Sequence, residues 1–255
     1  MLDEILDAVA SGALSPAAAS DRLKAREVRY LDEFAVLDAG RARRKGVPEV
    51  VYARGKTPQQ VARICAALLE DQVRVIVSGA SPETRAEISR TLPQTPLREA
   101  GRAVVVGGGE PEPTGGRVGA ICAGTSDLPA LEEALAVARE MGVAAESFHD
   151  VGVAGIHRLA EPLKRLRAFD PDCLIVAAGM EGALPSVVAG LVDVPVIGLP
   201  TSTGYGLGGD GTAAILSMLQ TCSPGLAVVN VDNGVGAGTT AALIANRAAQ
   251  ARATA

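Results

Sequence analysis

The chain has 255 residues, is 48% hydrophobic and only 2% aromatic with no Trp, and carries a formal net charge of −5. That length suits one large domain or a core domain with a smaller partner, and a core built from Val, Leu, Ile and Ala suits helices laid on a parallel sheet. No basic stripe with interleaved aromatics is present, which excludes nucleic acid as an expected partner.

The N-terminus, Met1-Leu2-Asp3-Glu4, is acidic and has no long apolar run, so no signal peptide is expected. The most membrane-like stretch, Cys173 to Pro200, is punctuated by Gly179, Gly182, Pro185, Pro195 and Gly198. It reads as a buried strand–helix–strand unit, not a span. No membrane partner is expected, and the location is read as cytoplasmic. The four cysteines, Cys65, Cys122, Cys173 and Cys222, form no CxxC pair, so neither a zinc site nor a disulfide framework is indicated.

In chain order, Ser15-Pro16 caps a polar helix through Ala25, and Arg41-Ala42-Arg43-Arg44-Lys45 reads as a solvated helix face or a phosphate clamp. Glu49 to Tyr52 reads as a strand. Thr57-Pro58 starts a helix with Val61, Ile64, Cys65 and Leu68 on one face, and Val73 to Ser78 reads as a second strand. A Gly- and Pro-rich stretch comes next. The reading is a smaller α/β domain over 1–106, a linker over 107–116 and a larger domain over 117–255.

The larger part is regular. Strand runs fall at Val118–Cys122, Val143–Phe148, Leu174–Ala177, Val196–Leu199 and Ala227–Val231, with helical patterns between them. Leu128, Leu131, Leu135, Ala138 and Met141 share one helix face; Leu159, Leu163 and Leu166 mark the next. Alternating strands and helices imply a parallel sheet, which binds ligands at the carboxyl ends of its strands.

The chemistry is therefore expected in the loops after the strands. The first is Gly124-Thr125-Ser126-Asp127, where Thr125 or Ser126 can cap the next helix and offer its free N–H groups to an anion. The second holds the chain's two histidines, His149 and His157, with Asp150 and Arg158. In the third, Gly179 to Ser186, Glu181 stands alone among apolar residues; a buried lone carboxylate must be paired, protonated or in a site. The fourth, Pro200 to Gly211, holds five glycines, which permit close backbone approach to a ligand. The helix after it ends at Thr221-Cys222-Ser223-Pro224-Gly225, making Cys222 the one thiol expected to border a polar loop. The last loop, Val229 to Gly238, carries a GxG that is by itself a weak nucleotide signal.

Together these loops resemble the LarB family. The resemblance rests on Asp150-Val151-Gly152-Val153-Ala154-Gly155-Ile156-His157-Arg158, on Gly179-Met180-Glu181-Gly182-Ala183-Leu184-Pro185-Ser186, on Gly198-Leu199-Pro200-Thr201-Ser202 with Gly204-Tyr205-Gly206, and on Val229 to Gly238. Leu31-Asp32 and Arg41 to Val50 extend it over nearly the whole chain. The series from Gly124 to Gly211 is more distantly similar to PurE, the aminoimidazole ribonucleotide carboxylase or mutase. Its His-Arg pair sits later after its strand than in PurE, with His149 as the alternative positional match.

The resemblance implies an α/β fold: a PurE-like, flavodoxin-like parallel sheet with helices on both faces, plus the smaller N-terminal α/β domain. It implies an enzyme that uses nicotinic acid adenine dinucleotide (with NAD as an analogue) and CO2 or bicarbonate. The product is pyridinium-3,5-biscarboxylic acid mononucleotide, with cleavage of the phosphoanhydride to AMP, in nickel-pincer cofactor biosynthesis and lactate racemase maturation. Cys222 matches the family's catalytic cysteine; Glu181, Asp127 and His157 are candidate general bases. Ser126, Thr201 and Ser202 are candidates for holding phosphate or carboxylate oxygens. Gly124, Thr125, Asp150, Arg158, Gly179, Met180, Gly182, Ala183, Leu184, Pro185, Ser186, Pro200, Gly204, Tyr205, Gly206, Asn233 and Gly234 complete the expected substrate-binding set. No permanently bound cofactor is expected; Mg2+ is a candidate aid to anhydride cleavage, with no ligand set evident in the sequence. A homo-oligomer, from dimer to octamer, is expected, with the alanine-rich last helix supplying apolar interface. The competing readings are a PurE-type purine carboxylase and a non-catalytic nucleotide-binding regulator.

Overall fold

The computed structural model describes residues 2–25, 28–32 and 34–254; Met1 and Ala255, which bound the ranges read above, lie outside them. Two helices come first, α1 (Leu2–Ala10) and α2 (Pro16–Ala25). Ser15 caps α2 as its Ser-Pro start requires, with Ala18 N donating to its Oγ at 3.1 Å. An antiparallel ribbon of β1 (Arg29–Leu31) and β2 (Ala35–Leu37) leads to α3 (Arg41–Lys45), which carries the basic cluster. Arg44 pairs with Asp38 and Arg41 with Glu49.

A four-stranded sheet comes next, in the spatial order β3-β4-β6-β5, from β3 (Val50–Tyr52), β4 (Arg74–Ser78), β5 (Leu97–Ala100) and β6 (Ala103–Gly107). Only β3 and β4 are parallel. Helices α4 (Pro58–Leu69) and α5 (Pro82–Thr91) cover one face. Thr57 starts α4 with a capping box: Gln60 N donates to Thr57 Oγ1 at 3.2 Å and Thr57 N to Gln60 Oε1 at 2.9 Å. Val61, Ile64, Cys65 and Leu68 are buried along it, as their spacing predicts. Helix α5 and the β5–β6 hairpin have no counterpart in the sequence reading, because α5 is short and mostly polar.

The strands of this sheet alternate. Val75 and Val77 of β4 face α4, while Ile76, with Ala103 of β6, packs into the core of the second domain. The N-terminal sheet is thus not a free-standing unit; its second face walls the core of the larger domain.

The second sheet has five strands, all parallel, in the order β11-β10-β9-β7-β8: β7 (Arg117–Cys122), β8 (Ala144–Phe148), β9 (Cys173–Ala178), β10 (Val196–Pro200) and β11 (Leu226–Val228). Strand β11 stops three residues short of the expected Val231. Helices α6 (Leu128–Glu140) and α10 (Gly234–Thr254) lie on one face; α7 (Ala160–Phe169), α8 (Ala183–Ala189) and α9 (Thr212–Leu219) lie on the other. This is the doubly wound arrangement expected, with the smaller α/β domain beside it.

The alanine stripe of α10 corrects one expectation. Ala237, Ala241, Ala242 and Ala245 are fully buried, and α10 packs on α6 within the same chain. A Cβ on Gly238 would lie 2.1 Å from Ala134 O, so the two helices approach as closely as backbones allow. That apolar face is covered and does not serve as an outer interface. Among the described residues, no helix is long and apolar enough to cross a membrane.

Candidate active site

The carboxyl edge of the five-stranded sheet opens on a cavity of about 280 Å3 between the loops after β7, β8 and β9. Its floor is Asp127, only 4% exposed. A buried carboxylate needs donors, and three are supplied. Gly124 N donates to Oδ2 at 2.9 Å, while Thr201 Oγ1 and Thr203 Oγ1 donate to Oδ1 at 2.5 and 2.8 Å. Thr201 and Thr203 share a side of the extended backbone leaving β10, a two-residue spacing that could have flagged Thr203 in the sequence.

Gly179 is the residue that lets this cluster form. A Cβ there would lie 2.0 Å from Thr203 Oγ1 and 2.8 Å from Thr201 Oγ1. The Gly124 loop is closed by Asp127 and not by Thr125 or Ser126, as had been expected; both are exposed, and neither makes a side-chain cap. Ser126 still lines the cavity, with Gly124.

At the mouth stand Met180, Glu181 and Arg158. Glu181 is exposed, which corrects the expectation of a carboxylate buried among apolar residues. It sits on the tight turn Gly179–Gly182, closed by Gly182 N donating to Gly179 O at 2.9 Å, which lifts the side chain into solvent. It makes no hydrogen bond or ion pair with the described residues. Arg158 donates to Asp150 O at 2.8 Å and Gly152 O at 3.3 Å and pairs with the Asp150 carboxylate at 3.2 Å. The guanidinium is therefore fastened to the rim.

Backbone strain concentrates on this edge. Asp150, Met180, Asp210 and Asp232 hold φ between 49° and 58°, one in each loop after β8, β9, β10 and β11. Non-glycine residues in this region persist where the surroundings enforce them, often at functional sites.

The remaining expected residues divide. Ala183 and Leu184 line the cavity, and Gly182 is buried beside it. Pro200 is buried at the end of β10. Pro185 and Ser186 lie further down α8, away from the cavity; Ser186 O accepts from Ser223 Oγ at 2.8 Å. His157 is exposed and outside the cavity lining, and His149 is exposed with Ser147 Oγ at 3.2 Å. Gly204 packs against the Met180 backbone, while Tyr205 and Gly206 project into solvent. Ser202 faces the other way, toward Asp232; Asn233 borders a separate cleft, and Gly234 is packed against α6.

Cys222 is the exposed thiol, as expected, and the other three are buried. Burial pushes the Cys65 and Cys173 thiols up to about 12 and Cys122 to about 11, so none of these three supplies a thiolate near neutrality. The expected neighbourhood of Cys222 is corrected, however. Helix α9 runs back along the sheet, so Cys222 precedes β11 at the amino edge, where Val196 N bonds Gly225 O at 3.0 Å. The length of β10, about 15 Å at the usual rise, separates it from the carboxyl-edge cavity of its own chain.

Among the described residues, no group of three His, Cys, Asp or Glu side chains is gathered that fits a metal ion.

Two domain families match the chain: the LarB/PurE-like N-terminal domain over residues 29–108 and AIR carboxylase over 117–254. An uncharacterized protein of Methanocaldococcus jannaschii is 41% identical over 250 residues, covering 96% of each chain. The chain belongs to the LarB family. Its second domain is PurE-like: it is 36% identical over 121 residues to the N5-carboxyaminoimidazole ribonucleotide mutase of M. jannaschii, spanning 47% of this chain and 70% of the mutase. The mutase of Thermotoga maritima is 31% identical over 135 residues, spanning 50% and 74%. The LarB-type layout is thus a carboxylase- and mutase-family domain preceded by an N-terminal domain.

Proposed function

We propose that this LarB-family chain carboxylates the pyridinium ring of nicotinic acid adenine dinucleotide with CO2 and cleaves its phosphoanhydride. The products are pyridinium-3,5-biscarboxylic acid mononucleotide and AMP, opening nickel-pincer cofactor biosynthesis. The observation that carries this reading is the pairing of a LarB N-terminal domain with a carboxylase-type domain whose single exposed thiol is Cys222.

A pyridinium carbon is too electron-poor to attack CO2. Addition of the Cys222 thiolate at C4 forms a C–S bond and passes the ring's cationic charge into a neutral enamine. C5 then attacks CO2, a base removes the C5 proton, and expulsion of the thiolate restores the pyridinium. Water completes the balance at the anhydride. Asp127 is already committed to three donors, so Glu181, unpartnered at the mouth, is the better placed acceptor of the C5 proton. Arg158 stands at the same mouth for a carboxylate or phosphate.

In this reading Cys222 comes from a second copy, because its own cavity lies across the sheet. The β10–β11 crossover exposes Tyr205, Leu207, Leu216 and Leu219 along with the thiol, an apolar surface suited to self-association. The test is mass spectrometry of products after incubation with nicotinic acid adenine dinucleotide and bicarbonate. A ring-carboxylated mononucleotide plus AMP is expected. Turnover of a purine-type aminoimidazole ribonucleotide in its place would overturn the reading.

A further inference from the structure

The turn Gly101–Arg102, between β5 and β6, fastens the N-terminal domain to the second domain in two ways. Its backbone grips the start of α6: Arg102 N donates to Pro129 O at 3.2 Å, two residues past Asp127. Its side chain grips the loop after β11: Arg102 Nη1 lies 2.8 Å from Asp232 Oδ1, and both side chains are mostly buried. That nitrogen makes no aligned hydrogen bond, so the contact is one of charge. Ser78 of β4 fixes α6 one turn further on, its Oγ donating to Glu133 at 2.7 Å.

Asp232 passes the hold of Arg102 to the loop after β10. Its N donates to Pro200 O at 2.8 Å, and its carboxylate accepts from Ser202 N at 3.0 Å and from Ser202 Oγ at 2.6 Å. Three bonds on one residue explain how its backbone keeps a φ of 58°. Burial opposes the charge on its carboxyl, yet the Ser202 donors and the Arg102 guanidinium hold it below the usual carboxylate range. Thr201 and Thr203, on either side of Ser202, both donate to Asp127. The path closes on itself: Arg102, Asp232, Ser202, the two threonines, Asp127, and through Leu128 and Pro129 back to Arg102.

We propose that Arg102 is a positioning residue: its charge, acting through Asp232 and Ser202, sets the geometry of the Asp127–Thr203 wall of the carboxyl-edge cavity. Among the described residues, the lining of that cavity comes from the second domain alone, so Arg102 is where the N-terminal domain bears on it. A displacement of about 1 Å in such a wall can cost about a hundredfold in rate. That the wall serves catalysis rests on the ring-carboxylation reading; the coupling itself does not.

Hydrogen exchange of the full chain reads the coupling without turnover. Arg102→Met keeps the apolar stem and removes the charge. Exchange should quicken by about tenfold in peptides spanning 122–127 and 200–204, which hold the bonded Gly124 N and Ser202 N, while α4 stays at wild type as the control for a folded N-terminal domain. Arg102→Lys should restore most of the protection, because it returns the charge. In an Asp232→Asn background, Arg102→Met should add nothing, since the path is already cut. Ser202→Ala cuts the same path inside the second domain and should also quicken 122–127, which decides the matter even if Arg102→Met loses its fold. Wild-type exchange at 122–127 in Ser202→Ala, or at both peptides in Arg102→Met, or a full further rise in the Asp232→Asn background, overturns the proposal. Turnover reads the consequence: with nicotinic acid adenine dinucleotide and bicarbonate, Arg102→Met should lower kcat by about tenfold and leave KM within about threefold of wild type. A raised KM at unchanged kcat would show Arg102 acting on bound substrate directly, and would overturn the positioning role. A wild-type chain that forms no ring-carboxylated product sinks the reading of the reaction, while exchange still decides the coupling.

Discussion

Thr203 Oγ1 lies 2.8 Å from Asp127 Oδ1 and 3.0 Å from Thr201 Oγ1, so two hydroxyls and one carboxylate form a single cluster beneath the carboxyl-edge cavity. The cluster ties the loop after β10 to the loop after β7, which sits two strands away in the sheet order. Thr201→Val keeps the side-chain shape but removes a donor from a fully buried position. The expected cost is about 1–2 kcal/mol in urea unfolding. Thr203→Val, at a half-buried position open to water, should cost less. Equal and negligible costs would show that the hydroxyls do not hold the carboxylate.

Glu181→Gln separates a chemical role from a structural one. The side chain is exposed and unpartnered, so unfolding free energy should change by no more than about 0.5 kcal/mol. Turnover should fall by about a hundredfold if the carboxylate accepts the C5 proton. Wild-type turnover would remove Glu181 from the mechanism and leave Asp127 as the carboxylate within the cavity.

Glu133 gives a pH signature. Its folded carboxyl titrates above the ordinary range because burial disfavours the charge, against the Ser78 hydrogen bond and the nearby arginines. In the window between its ordinary and raised values, the folded chain keeps a proton that the unfolded chain has lost. Stability from this group is therefore present below that window and falls as pH rises through it. Glu133→Gln lacks the titration, so the variant should gain on wild type as pH rises from about 4 to about 7, read as the difference in urea midpoints. A difference that stays constant with pH would show that Glu133 ionises normally in the fold.

How far the sequence disclosed all this varies with the kind of signal. Where the apolar period was clean, as in Leu131, Leu135 and Ala138 on α6, element and burial both came from it. The all-parallel second sheet came from alternation alone. The β5–β6 hairpin was missed because Val104 to Val106 face cores on both sides and abut the glycine run, so no alternation marks them. The candidate site was legible as a set of loops but not as a geometry. A lone glutamate among apolar residues looks buried in the sequence, yet the turn at Gly179–Gly182 turns Glu181 outward. Thr203 and Asp232 act through partners about 75 and 30 positions away, a separation that no local pattern encodes. Cys222 was correctly placed at a helix end, but which edge of the sheet that end occupies depends on the direction in which α9 returns.

That direction makes the sharpest prediction. Cys222 and Asp127 belong to opposite edges of one sheet, so a site that uses both draws them from two copies. Cys222→Ala should retain the fold, since the thiol is exposed, and should bind dinucleotide while forming no ring-carboxylated product. Cys222→Ser should fail as well, because an alcohol is scarcely ionised at neutral pH and is a poorer nucleophile and leaving group. Asp127→Asn should also be inactive through the opposite wall of the same site. Equimolar mixing of Cys222→Ala with Asp127→Asn, after dissociation and reassembly, should then restore activity to about a quarter of wild type, as random pairing of copies creates sites with both native residues. Mixed samples as inactive as either variant alone, in a chain shown by light scattering to have reassembled, would refute the shared site. Substantial carboxylation by Cys222→Ala on its own would remove the thiol from the reaction and leave Cys222 as a surface residue of the β10–β11 crossover.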